Sequence, residues 1–163
     1  MRILVLSDTH IPLTTKSLPK IIVEELKKSS LCLHAGDFVD IRVAEEISKY
    51  TKLIGVRGNM DSLQIKEKFP AKQIISVEGV KLGIIHGEGS PFKLLKRVEE
   101  ELGPHLDVYI FGHSHAPYNE VYKGRIFFNP GSPTDKIFAK FNSYGILEIE
   151  KKKIRREIIK INP

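Results

Sequence analysis

Four apolar residues, Val108-Tyr-Ile-Phe111, run into Gly112 and then into two histidines, His113 and His115, one residue apart. The run has the composition of a buried strand, being β-branched and aromatic with no polar interruption. Gly112 ends it. A strand that stops at a glycine and then offers two imidazoles builds a poor core, and alternation along a continued extended backbone is the basis for expecting the pair to diverge towards two different neighbours. Alone, the pair fits either a solvated turn or a metal site. The remainder of the chain has to supply the partners.

Other stretches repeat the same grammar. Arg2 to Leu6 is uniformly apolar, as in a sheet covered on both faces, and leads into Ser7-Asp8-Thr9-His10. Leu31 to Ala35 leads into Gly36-Asp37-Phe-Val-Asp40, and Leu53 to Val56 into Arg57-Gly58-Asn59-Met60-Asp61. Between them lie helical spacings: Ile22, Val23 and Leu26, with Ser17 or Leu18 near the cap and Pro19 in the first turn; then Val43, Ala44 and Ile47. Strand, loop and helix in repetition predict parallel βαβ units. The second half differs. Ile74 to Val77 and Val80 to Ile85 flank a Glu78-Gly79 hairpin signal, and the second of these strands runs into His86-Gly87. Pro91 to Leu102 is a predicted helix stopped by Gly103-Pro104. Tyr118 to Tyr122, Ile126 to Phe128, Tyr144 to Glu150 and Lys153 to Ile161 are further strands. The expected architecture is α/β, with two mixed β-sheets packed as a sandwich and flanked by helices. Residues 1–163 are expected to form one domain.

Composition narrows the class. Hydrophobic residues make up 41% and charged residues 28%, as in an ordinary globular protein, and no apolar run reaches membrane length. Asp8 cuts the opening apolar run too short for a signal peptide, so a cytoplasmic location is expected. The single cysteine, Cys32, suits a reducing compartment and sits in a strand-like run as a small hydrophobe. A net charge of +6 suits a polyanion, yet many lysines fall in helical or tail segments where a solvated face explains them. The alternating tail from Lys151 to Lys160 reads as an edge strand guarded by lysine.

Five strand ends thus carry possible ligands: Asp8 and His10, Asp37, Asn59, His86, and His113 with His115. Open α/β sheets gather their sites outside the carboxyl ends of strands, so these loops should converge. The order Asp8-Thr-His10, Gly36-Asp37-Phe-Val-Asp40, Gly58-Asn59-Met-Asp61, His86-Gly87 and Gly112-His113-Ser-His115 resembles the calcineurin-like metallophosphoesterases, most closely their small single-domain phosphodiesterase branch. Asn129-Pro-Gly-Ser132 also looks like that branch.

The resemblance implies a phosphodiesterase that hydrolyses small phosphodiesters or nucleotides through a hydroxide bridging two metal ions. Asp8, His10, Asp37 and His115 would hold one ion, and Asp37, Asn59, His86 and His113 the other, with Asp37 shared. Asp37, Asn59 and Asp61 would form the catalytic group. Two divalent ions against two carboxylates leave about +2, which suits an anionic ester. Four imidazoles without a thiolate favour Mn²⁺, Fe²⁺, Co²⁺, Ni²⁺ or Zn²⁺ over Mg²⁺ or Ca²⁺, and Mn²⁺ is the first expectation.

Several residues keep two readings. Arg57 either reaches a phosphate oxygen or is an exposed loop arginine. Asp40 and Asp61 either orient ligands or, for Asp40, cap a helix. Ser132 with Gly131 either orients a ligand or belongs to an ordinary turn. His34 is expected to pack in its strand and His105 to sit in solvent. Met60 stands where many larger relatives carry a histidine resembling a general acid, so esters with good leaving groups should be favoured. Expected partners are a small phosphoester and no membrane, with nucleic acid not favoured and a homo-oligomer left open. Alternative activities are a nuclease, a phosphomonoesterase, or a binding scaffold such as the retromer coat subunit that resembles this family; the last tends to lose ligands, whereas every position is filled here.

Overall fold

The computed structural model of the chain describes residues 1–162. β1 (Arg2–Leu6), α1 (Lys20–Lys28), β2 (Leu31–His34), α2 (Ile41–Ser48) and β3 (Leu53–Gly55) follow one another as parallel crossover units. After α3 (Leu63–Lys68), the chain forms the hairpin of β4 (Lys72–Val77) and β5 (Val80–Ile85), then α4 (Leu94–Leu102) and β6 (Val108–Ile110). Two antiparallel pairs complete it: β7 (Tyr118–Tyr122) with β8 (Arg125–Asn129), and β9 (Ser143–Glu150) with β10 (Lys153–Lys160). The strands form two mixed five-stranded sheets, β10-β9-β1-β2-β3 and β4-β5-β6-β8-β7.

Alternation along the strands decides the layering. Ile3 and Val5, with Leu31 and Leu33, face Leu82, Ile84, Val108 and Ile110 of the other sheet in one buried seam. Leu4, Leu6 and Cys32 point the opposite way, onto Ile22 and Leu26 of α1 and Val43, Ala44 and Ile47 of α2. Tyr109, Phe111 and Phe127 likewise meet Val98 and Leu102 of α4. The result is a sandwich with helices outside, as expected. Truncating a seam residue such as Leu33 to alanine would cost about 2–5 kcal/mol.

Register carries this order to the site. Leu6 is level with His34 and His34 with Gly55, while Ile84 is level with Ile110 and Ile110 with Phe128. The parallel strands of each sheet therefore end at one height, and their following loops open on one edge.

Three local readings shift. α1 begins at Lys20 rather than within Ser17 to Pro19, because Pro19 is extended and its carbonyl accepts the first helical N–H groups, from Ile22 and Val23. α4 begins at Leu94 rather than Pro91, because Lys93 takes a left-handed conformation at φ 58°. α3 carries no expectation in the sequence, since only Ile65 in its six residues is buried. β10 is the sheet edge, with Lys153, Arg155 and Glu157 exposed along it. No helix among the described residues is long and apolar enough to cross a membrane.

Candidate metal centre

Loops from five strands meet at this edge. Asp8 and His10 follow β1, Asp37 follows β2, Asn59 follows β3, His86 follows β5, and His113 and His115 follow β6. The ladders extend into the loops: Asp8 N–H donates to the Gly36 carbonyl at 3.0 Å, His10 N–H to Asp37 at 3.0 Å, and Gly112 N–H to His86 at 3.0 Å. His113 N–H donates to Asp8 Oδ2 at 3.0 Å and so ties one sheet to the other.

The two carboxylates sit among imidazoles. Asp8 Oδ1 lies 3.4 Å from His115 Nε2, 3.7 Å from His10 Nε2 and 3.9 Å from His86 Nε2. Asp37 Oδ2 lies 3.4 Å from His10 Nε2 and 3.3 Å from His86 Nε2. Two groups with ligand atoms within 4.8 Å of one another result: Asp8, His10 and His115, and Asp8, Asp37 and His86. Asn59 Oδ1 is 3.1 Å from His86 Nε2, which brings the amide to the second group. His113 stands edge-on to His86 with ring centroids 5.2 Å apart.

Neighbouring carbonyls and carboxylates set the tautomers. His86 Nδ1 donates to the Ala35 carbonyl at 2.7 Å, and His115 Nδ1 donates to Asp135 Oδ2 at 2.5 Å, so each turns Nε2 towards the carboxylates. His113 does the reverse: Nε2 donates to the Gly89 carbonyl at 2.7 Å, which leaves Nδ1 as its lone-pair nitrogen. The two histidines of the Gly112-His113-Ser-His115 motif do serve different neighbours. The cause is not strand alternation, which sets residues i and i+2 on the same side. Both residues are left-handed, at φ 66° and 54°, as are Asp8 (53°), His10 (45°) and Asp37 (59°).

Close approach explains two glycines. A Cβ on Gly58 would lie 2.2 Å from Asp37 Oδ1, and one on Gly112 would lie 1.8 Å from Ser7 Oγ and 2.8 Å from Asp8 Oδ2. Only glycine lets these loops pass the carboxylates. Asp61 has a positioning part: its carboxylate accepts N–H bonds from Asp37 (3.1 Å), Val39 (2.7 Å) and Gly58 (2.7 Å). Burial raises its pKa, partly offset by those bonds.

The cluster fits a cation. Asp8 Oδ1 and His10 Nε2 are buried without a hydrogen-bond partner, an arrangement that costs free energy unless another group satisfies them. Burial alone would raise the Asp8 pKa, but the facing imidazoles of His10, His115 and His86 hold it well below the ordinary carboxylate range. Burial would lower His86 and His115, yet the carboxylates of Asp37 and Asp8 outweigh it and push both up to about 9. Two carboxylates ringed by imidazoles, with no cysteine sulfur, are a nitrogen–oxygen donor set for first-row divalent ions.

The other candidate residues lie around this centre. Arg57 is exposed, its Nη1 donates to the Lys66 carbonyl at 3.1 Å, and it does not line the pocket above the site. Asp40 caps α2, accepting the Arg42 N–H at 2.9 Å. Ser132 Oγ donates to the Asp8 carbonyl at 2.7 Å and accepts the Asp135 N–H at 2.9 Å, linking the Asn129-Pro-Gly-Ser132 turn to the site. His34 is buried and stacked on Phe38, and His105 is exposed. Burial pushes the Cys32 thiol up, away from nucleophilic use. Asp135, bonded to His115, is the residue of this cluster that sequence reasoning passed over. Nothing in Pro133-Thr-Asp135 marks it, although its place just past the Asn129-Pro-Gly-Ser132 turn was a usable hint.

Comparison with known proteins agrees with this geometry. Residues 1–152 match the family model described as the calcineurin-like phosphoesterase superfamily domain. A probable metallophosphoesterase of Methanocaldococcus jannaschii, MJ0623, is 35% identical over 82% of this chain and 69% of its own length. The phosphodiesterase MJ0936 of the same organism is 27% identical over 98% and 99%. Among solved structures, Thermotoga maritima TM1076 is 35% identical with a TM-score of 0.77, covering 98% of this chain and 99% of that one. Vps29 from Chaetomium thermophilum shares the fold, with a TM-score of 0.79 at 21% identity over 99% and 97% of the two chains. On the matched residues and the motifs now placed together at one sheet edge, the chain belongs to the calcineurin-like phosphoesterase superfamily.

Proposed function

We propose that the protein is a dinuclear metal-dependent phosphodiesterase acting on small phosphodiesters or nucleotides, a single domain over residues 1–163 working in the cytoplasm. The observation that carries this reading is that Asp8 belongs to both ligand groups, while Asp37 Oδ2 lies 3.4 Å from His10 Nε2 of the first and 3.3 Å from His86 Nε2 of the second. Asp8, His10, Asp37 and His115 would hold one ion. Asp37, Asn59, His86 and His113 would hold the other, with Mn²⁺ the first choice. Bound there, two divalent ions supply a water of lowered pKa and positive charge for the phosphate oxygens.

The chain's own residues do the rest. Met60 N–H fixes Asp37 Oδ1 at 2.8 Å and so turns Oδ2 inward. Asp135 and the Ala35 carbonyl fix the His115 and His86 rings, and Asp61 holds the three loop amides that surround Asp37. Met60 offers no proton to a departing oxygen, so diesters with good leaving groups are the favoured substrates. A buried Cys32 fits a reducing compartment.

The test is hydrolysis of a chromogenic diester and of the matching monoester across Mn²⁺, Ni²⁺, Co²⁺, Zn²⁺ and Mg²⁺, with a chelator control. Metal-stimulated diester hydrolysis that disappears in Asp37→Ala is expected. Undiminished activity in that variant, or in chelator, would remove the metal-dependent reading.

A further inference from the structure

The metal centre lies at the bottom of a cavity of about 660 Å³, within the size range of small-molecule sites. Above the imidazoles the wall is apolar: Leu13, Met60, Pro91, Ile137 and Phe138. Among the described residues, no lysine or arginine lines it. Four of these side chains are unusually exposed for apolar groups: Leu13 at 64%, Met60 at 50%, Ile137 at 82% and Phe138 at 77%. A lone exposed apolar residue needs no explanation, whereas several around one cavity mark a ligand surface.

The wall is also fixed in place. Asp135, the partner of His115 Nδ1, accepts the N–H groups of Ile137 at 2.8 Å, Phe138 at 3.1 Å and Ala139 at 2.8 Å. One carboxylate therefore sets both a metal-facing imidazole and the backbone that presents the wall. The Phe138 ring stands edge-to-face with His115, centroids 5.8 Å apart, and most of its remaining surface is bare. A phosphate group over the imidazoles would place its organic substituents against Phe138, Ile137 and Met60, with no cation to hold a second anionic group.

We infer that this cavity selects phosphodiesters carrying an aromatic group, aryl or nucleobase, and that Phe138 is the specificity-determining residue on which that group packs. The inference rests on the phosphodiesterase reading and adds the substrate's chemical class to it. An aromatic ring gains a large buried area and ring–ring contact on Phe138, whereas a methyl group in its place buries far less area and makes no ring–ring contact.

Titration calorimetry of the Mn²⁺-loaded protein with phenylphosphonate and methylphosphonate, which carry like charge, tests it without turnover. Phenylphosphonate should bind about tenfold tighter, and the ratio of the two affinities should fall towards one in Phe138→Ala. In Phe138→Leu, which keeps the apolar volume, the ratio should be intermediate. Equal affinities in the wild type, alongside intact diester hydrolysis, would overturn the aromatic selection and leave the phosphodiesterase reading standing. A ratio unchanged in Phe138→Ala would overturn the part given to Phe138. Absence of binding by either phosphonate, together with absence of metal-stimulated hydrolysis, would overturn the phosphodiesterase reading and this inference with it.

Discussion

The carboxylate of Asp135 accepts the Nδ1–H of His115 at 2.5 Å. That bond leaves Nε2 as the atom aimed at Asp8, and it holds the Asp135 carboxyl below its ordinary range against the opposite pull of burial. Partners of this kind usually change metal affinity by 10- to 100-fold. Asp135→Asn should therefore weaken Mn²⁺ binding by roughly that factor. Calorimetric titration of the metal-free protein reads it, and wild-type affinity in the variant would show that the bond does not orient His115.

Gly58 is the second lever. Adding a single methyl puts an atom 2.2 Å from Asp37 Oδ1, so either the loop or the carboxylate must move. A displacement near 1 Å at a reacting centre costs on the order of 10²-fold in rate. Gly58→Ala should lose about that much metal-stimulated hydrolysis while its circular dichroism stays native. Full activity would mean that Asp37 tolerates the shift.

His34 gives an acid-stability test on a histidine that is not itself one of the proposed ligands. It is buried, stacked on Phe38 with centroids 3.5 Å apart, and accepts the Gly36 N–H on Nδ1. Burial pushes its pKa down to about 3 from 6.5. The folded value lies below the unfolded one, so the unfolded chain binds more protons and stability rises with pH. This contribution is complete above about pH 6.5 and is lost as pH falls towards about 3. In the metal-free protein, His34→Gln should flatten the loss of unfolding free energy between about pH 6.5 and 4.5 by up to about 1 kcal/mol per pH unit. Denaturant titrations at matched pH decide it; parallel curves for the two proteins would contradict the assignment.

The β9–β10 hairpin turns through Lys151 and Lys152, both left-handed at φ 48° and 65°. Type I′ turns of this kind favour Asn-Gly, because glycine adopts positive φ without steric penalty. Lys152→Gly should stabilise the fold by about 1 kcal/mol or less, raising the melting temperature by roughly 2–4 °C. A lower melting temperature would indicate that the lysine makes a compensating contact.

Much of this arrangement was legible because strand ends in an α/β fold have a chemical grammar. Val108 to Phe111, Leu31 to Ala35 and Arg2 to Leu6 are short apolar runs, each followed by polar ligands, and the level registers bring those ligands together. The hairpin at Glu78-Gly79 was readable from turn chemistry, and both of its residues have positive φ. What escaped was local in a different sense. α3 buries only Ile65, too little for a period to emerge. Asp135 acts through a bond to a residue 20 positions away, and no spacing in its own loop records that distance. The left-handed backbone at both histidines of the motif is likewise a loop property that strand reasoning misassigns.

That left-handed posture has an evolutionary consequence. At Asp8, His10, Asp37, His113 and His115 the backbone sits where glycine would be at ease, and each side chain there costs about 1 kcal/mol or more. At His10 the strain is joined by a buried Nε2 without a hydrogen-bond partner, so a laboratory selection for thermal tolerance of the metal-free protein would press on that residue first. Hardiness and chemistry pull this edge of the molecule in opposite directions, so any screen for tougher variants has to keep a catalytic assay in the loop.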